Sequence, residues 1–293
     1  MAKKRKRGRQ RQLDMAVTTI QRRYGPWALV KGKPASAAGG DRVPHIPTGF
    51  VALDQALGIG GLPKGKVCEL VGPATSGKTT LALKFLAQAQ ANGGQVAYID
   101  QALHFDPDYA YRCGLDLSRL VVGTSFDLQE SLAMTEALAR SSSLSVLVFD
   151  ALDFLWTDLK AAHLLAATLN RLPAALAHSG TILLVLHESP IAPPFTGRFL
   201  TDSPPAGGSR AGGSPVGGSP LGSLPASGSP ALSALAHYAA VRLQVVREDW
   251  LPLHDDIRGY NARVEVLKNQ LGPAGRAVNL LIKFNGTVHG NGL

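Results

Sequence analysis

The segment that most constrains this chain is Gly72-Pro73-Ala74-Thr75-Ser76-Gly77-Lys78-Thr79, followed by Thr80. It fits the pattern G-x-x-x-x-G-K-[ST], in which two glycines let the backbone turn tightly enough for its amides to converge on phosphate oxygens. An apolar run at 67–71 precedes it and an amphipathic stretch at 79–91 follows it. The loop should therefore join a buried strand to a helix whose positive dipole end adds to the cradle. Lys78 then supplies a cation for the outer phosphates, and the Thr79 hydroxyl supplies a ligand for Mg²⁺. A chain built this way is expected to bind a nucleotide.

Such a loop needs an acid at the end of a neighbouring apolar strand to hold the water shell of the metal. The run at 144–150 ends in Asp150, the candidate metal-side carboxylate; a simple strand-capping role is the alternative. Asp100 ends a second apolar strand, where a structural role is equally open.

The rest of the chain repeats this grammar. β-rich runs at 67–71, 95–100, 145–150 and 181–187 alternate with helical stretches at 79–91, 127–140 and about 157–177. Asn92-Gly93-Gly94 should close the first helix, and Asp127 with Glu130 resembles a capping box at the start of the second. Apolar strands alternating with helices predict an α/β fold, a mostly parallel sheet flanked by helices. Three further runs, 241–246, 262–267 and 278–284, lack intervening helices and should finish the sheet as a meander.

Two segments differ in kind. Residues 203–230 contain eight Gly, six Pro and seven Ser, too little apolar surface to offset ordering entropy. A mobile loop inside the core is expected there, either functional or a tolerated insertion. At the other extreme, seven of the 30 Lys and Arg residues (Lys3, Lys4, Arg5, Lys6, Arg7, Arg9 and Arg11) lie in the first eleven positions, so most of the net charge of +9 is terminal. Residues 1–12 read as a basic, disordered tail, suited to polyanions through counterion release; solubility or nuclear import are the other roles such a tail can have. Arg198 and Arg210, beside and within the Gly/Ser/Pro segment, complete the candidate DNA contacts.

Leu13, Val17, Ile20 and Tyr24 form one helical stripe before Gly25-Pro26, which has to bury on its own domain or on a neighbouring subunit. Residues 33–42 read as a linker, giving a helix-and-linker unit at 13–42 ahead of a core at 43–290. Two cysteines, Cys68 and Cys113, exclude a disulfide scaffold. No apolar run is long enough for a membrane helix, and no apolar stretch follows the basic start, so a cytoplasmic protein without membrane contact is expected.

Beyond the phosphate loop, Ile46-Pro-Thr-Gly-Phe-Val-Ala-Leu-Asp54, Ala56-Leu-Gly-Ile-Gly-Gly-Leu-Pro63, Tyr98-Ile-Asp100, Asp106-Pro-Asp-Tyr109-Ala and Gly114-Leu-Asp116 closely resemble the bacterial RecA recombinase family. So do Ala234-Leu-Ala-His-Tyr-Ala-Ala-Val-Arg-Leu243 and Arg263-Val-Glu-Val-Leu-Lys268-Asn, and the similarity runs from about 13 to 290. The resemblance implies a RecA-type ATPase core, with ATP and Mg²⁺ as cofactors. It also implies self-association in a filament on DNA, single-stranded DNA being the expected form, and a role in recombination or repair. By position, Asp106 and Tyr109 would hold and stack the adenine. Lys268 would reach the γ-phosphate of a neighbour, and the Leu13–Tyr24 helix would dock on the adjacent subunit. No counterpart of the C-terminal domain of the family is expected.

The departures from the family are chemical. Its catalytic glutamate is replaced by Ala102, the partner of the trans lysine by Gln270, and the Asn-Gln phosphate sensor by His187-Glu188. An alanine accepts no proton, and general-base help is worth on the order of 10²–10⁴-fold. Glu188 is the candidate surrogate base, a solvated or ion-paired acid being the alternative. The first DNA loop is shortened to 151–157, and the second is the Gly/Ser/Pro segment. The expectation is a DNA-binding ATPase with weakened hydrolysis. The alternative is a non-hydrolysing adaptor that binds ATP and a repair partner.

Overall fold

The structure, a computed structural model, describes residues 2–25, 43–152, 159–188, 230–253 and 256–290. Two units are distinct, Met1–Arg42 and Val43–Leu293. In the first, helix α1 runs Ala2–Tyr24. Lys, Arg and Gln are strong helix formers and no proline intervenes before Pro26, so nothing local stops the helix short of the terminus.

In the second unit, β1 (His45–Ile46) and β2 (Leu62–Pro63) form a small antiparallel pair around α2 (Val51–Leu57). Then follow β3 (Val67–Gly72), α3 (Lys78–Ala91), β4 (Val96–Asp100), α4 (Pro107–Arg112), β5 (Leu120–Thr124), α5 (Leu128–Arg140), β6 (Val146–Asp150), α6 (Leu159–Ser179) and β7 (Ile182–Glu188). Helix α7 (Pro230–Tyr238) leads into β8 (Val241–Leu253), β9 (Asp256–Asn269), β10 (Ala277–Lys283) and β11 (Val288–Gly290). Nine strands make one sheet in the order β11-β10-β9-β8-β3-β7-β6-β4-β5. From β8 to β5 neighbours are parallel, whereas β8 to β11 form the antiparallel meander. This is the α/β architecture the alternation of apolar runs predicts.

Period-two alternation sends the side chains of each strand to two separate cores. Cys68, Leu70, Tyr98 and Val148 pack with Leu83, Phe85 and Leu86 of α3. Val67, Ile99, Phe149 and Val185 pack with Leu132 of α5 and Leu165, Leu169 and Leu172 of α6. Burial on both faces is why β3, β4 and β6 read as continuous apolar runs.

The caps follow the sequence with one exception. Gly93, at φ 81°, ends α3 by donating to the Gln90 carbonyl while Gly94 donates to Ala89, a Schellman pair. Asp127 caps α5 through the amide of Gln129 at 2.8 Å. Glu130 does not complete a capping box: its carboxylate accepts from Ser125 Oγ at 2.7 Å, and that hydroxyl accepts from the Asp127 amide. Among the described residues, no helix is long and apolar enough to cross a membrane.

Candidate nucleotide site

The loop between β3 and α3 is held by backbone geometry that side chains cannot replace. Gly77 has φ 100°, and a Cβ there would stand 2.7 Å from the Tyr260 hydroxyl and from Ile282. At Gly72 a Cβ would meet the Val245 carbonyl of β8 at 2.1 Å. Thr75 occupies the left-handed region at φ 57° without being glycine. Within this turn Lys78 Nζ donates to the carbonyls of Gly72 and Pro73, each at 2.9 Å. Ser76 Oγ is buried with no partner among the described residues.

The expected acid is in place at the end of β6, which is not the adjacent strand, because β7 lies between β3 and β6. Thr79 Oγ1, in the first turn of α3, donates to Asp150 Oδ2 at 3.2 Å. The Tyr98 hydroxyl of β4 donates to the same oxygen in a short hydrogen bond. Burial, then the Asp150 charge, pushes the Tyr98 hydroxyl far above its ordinary pKa, which keeps it a donor at any physiological pH. Asp150 thus accepts two hydroxyls at the end of β6.

Asp100 has structural work: its two carboxylate oxygens accept from the amides of His104 and Phe105, both at 3.0 Å, and so shape the loop after β4. Ala102 sits in that loop, its amide donating to the Asp150 carbonyl at 3.2 Å. Position 102 is therefore next to the end of the strand that carries Asp150, and it offers only a methyl group.

Asp106 caps α4, accepting from the Tyr109 amide at 3.0 Å. The Tyr109 hydroxyl is 2.8 Å from Thr80 Oγ1, which brings the expected adenine pair close to the start of the loop helix. Glu188 pairs in register with Gly72, so β7 delivers it to the base of the phosphate loop. Lys268 is more distant: its Nζ donates to the carbonyls of Ala236 and His237, closing α7. Burial, then the neighbouring Arg242, lowers its pKa. Among the basic residues of α1, Arg11 is solvent-exposed. Arg198, Arg210, most of the shortened first loop and nearly all of the Gly/Ser/Pro segment lie outside the described residues.

Two groups escape the sequence reading. The first is a wall facing the loop: a cleft of about 360 Å³ lies between residues 75–80 and Arg247, Trp250, Tyr260 and Phe284. Trp250, Tyr260 and Phe284 stack edge-on or tilted, with centroids 6.0–6.4 Å apart. Burial, with Tyr109 nearby, pushes the Tyr260 hydroxyl up to about 12. The second is a buried charge cluster. Glu69, fully buried in β3, bonds closely to His187 of β7 and to Arg242 of β8. Burial alone would raise its pKa, yet the contacts with His187 and Arg242 overcome this and hold the carboxyl below its usual value. A glutamate inside the run Val67-Cys-Glu-Leu-Val is the available signal, because a buried carboxylate requires partners.

The RecA N-terminal domain profile matches residues 11–186. The chain is 32% identical to protein RecA of Frankia alni over 97% of its own length and 77% of that protein. It is 31% identical to protein RecA of Caulobacter vibrioides over 94% of its length and 73% of that protein. The crystal structure of the RadB recombinase has the same fold, with a TM-score of 0.56 and 21% identity over 83% of this chain and 98% of that one. On the extent of this similarity, the chain belongs to the RecA family.

Proposed function

We propose that this chain binds Mg²⁺–ATP at the loop between β3 and α3, binds DNA, and acts in recombination or repair with weakened hydrolysis. The observation that carries the reading is the meeting of Thr79 and Asp150, 71 positions apart in the chain, beside the Lys78 ammonium. A hydroxyl and a carboxylate at that spacing fit Mg²⁺, which takes few protein ligands and completes its shell with phosphates and water. Thr79 would ligate the ion directly, and Asp150 would hold its waters. The bound ion neutralises charge on the outer phosphates. Lys78 would turn from the loop carbonyls to those phosphates, and the loop amides would orient them.

Ala102 supports the weakened step, because a methyl group at that position takes no proton from an attacking water. Glu188 is the candidate substitute: loss of turnover in Glu188→Gln would assign it the role, and unchanged turnover would remove it. Ala102 also favours the second reading, a non-hydrolysing adaptor that uses ATP to hold a conformation for a repair partner. DNA contact through the basic residues of α1 rests on their charge, and self-association and cytoplasmic action rest on the family reading. Equilibrium titration of Mg²⁺–ATP into the protein and into Lys78→Ala tests the nucleotide site. Tight binding lost in the variant supports it, and equal binding removes it.

A further inference from the structure

Arg247 is the cation at this cleft that the nucleotide reading leaves unused. Its Nη1 donates to Thr75 Oγ1 at 3.0 Å, at the crown of the phosphate loop. Its guanidinium carbon lies 4.1 Å from the centre of the Trp250 ring. Residues three apart on a regular strand point to opposite faces. Here the register is broken between them: Arg247 pairs with Ala262 and Trp250 with Tyr260, so Glu248 and Asp249 share the single position opposite Asn261. The bulge returns both side chains to the side of the loop.

Neither contact neutralises the guanidinium, since a hydroxyl and an indole face are both uncharged. Among the described residues, the cleft lining contains two cations, Lys78 and Arg247, and no carboxylate. A stacked guanidinium leaves its N–H groups pointing outward, and those not bonded to Thr75 match phosphate oxygens. Resting on the nucleotide site proposed above, we propose that Arg247, positioned by Trp250, is a phosphate ligand supplied by the same chain. It favours the outer phosphates of a nucleoside di- or triphosphate and provides a cation where Gln270 no longer can.

The test measures Mg²⁺-dependent affinity for ATP, ADP and AMP in the full chain and in Lys78→Ala, Arg247→Ala, Arg247→Lys and Trp250→Leu. Hydrogen bonds to charged groups support a loss of about tenfold or more for ATP in Arg247→Ala, a smaller loss for ADP and little change for AMP. Trp250→Leu should show the same ordering at reduced size, and Arg247→Lys should recover only part of the ATP affinity. Unchanged ATP binding in Arg247→Ala, or an equal loss for all three nucleotides, would overturn the proposal. So would a loss confined to nucleotide-free DNA binding, which would assign the guanidinium to nucleic-acid phosphates. Equal ATP binding by the parent and Lys78→Ala would instead bring down the nucleotide reading itself.

Discussion

Thr79 and Asp150 meet at 3.2 Å where the first turn of α3 reaches the end of β6, and the Tyr98 hydroxyl completes the contact from β4. Three elements far apart in the chain thus converge on one carboxylate oxygen at the end of β6.

Asp150→Asn keeps the shape and removes the charge. Loss of a group supporting a bound metal typically costs about 10–100-fold in affinity or activity. ATP affinity measured across a Mg²⁺ titration should fall by that order in the variant. An unchanged Mg²⁺ dependence would leave Asp150 as a strand-end hydrogen-bond acceptor and no more.

The Glu69 cluster predicts stability rather than binding. Arg242→Met leaves a fully buried carboxylate with His187 alone, and breaking such a pair costs about 3–5 kcal/mol. Chemical denaturation should show that loss. The same carboxyl gives a pH signature. It is held below its usual value of 4.5, so the unfolded chain takes up the proton first. Its contribution is complete above pH 4.5 and declines as the pH falls through the depressed native value. Glu69→Gln should flatten that acid limb, and an unaltered limb would contradict the pairing.

Removing residues 1–11 deletes seven cations from the start of α1. DNA affinity should fall, and the plot of log affinity against log salt should become shallower. On single strands the slope should change by about 0.7 for each phosphate that these cations neutralise. An unchanged slope would mean that these residues do not touch DNA.

The legible parts of the molecule are those with a local chemical reason. The glycines around Lys78 and the apolar runs of β4, β6 and β7 announce themselves, because burial on both faces leaves little that is polar in such strands. Strand β5 does not: Val121 and Val122 are exposed at the sheet edge, and the Leu-Val-Val-Gly-Thr run ends in a glycine and a threonine. The site divides in the same way. Lys78, Thr79 and Asp150 are readable because phosphate chemistry fixes their types and spacing. Arg247, Trp250 and Tyr260 are not, because a bulge in the β8–β9 pair, invisible to period-two counting, brings them to the loop.

A nucleotide site that lacks its base is best tested by ATP turnover. Turnover would be measured with and without single-stranded DNA for the parent chain, Lys78→Ala and Ala102→Glu. The account predicts that the parent binds ATP yet turns it over slowly, and that Lys78→Ala abolishes what activity there is. Ala102→Glu should raise the rate by about 10²-fold or more if general-base help is restored in full. A parent as fast as Ala102→Glu, or a Lys78→Ala protein as active as the parent, would contradict it.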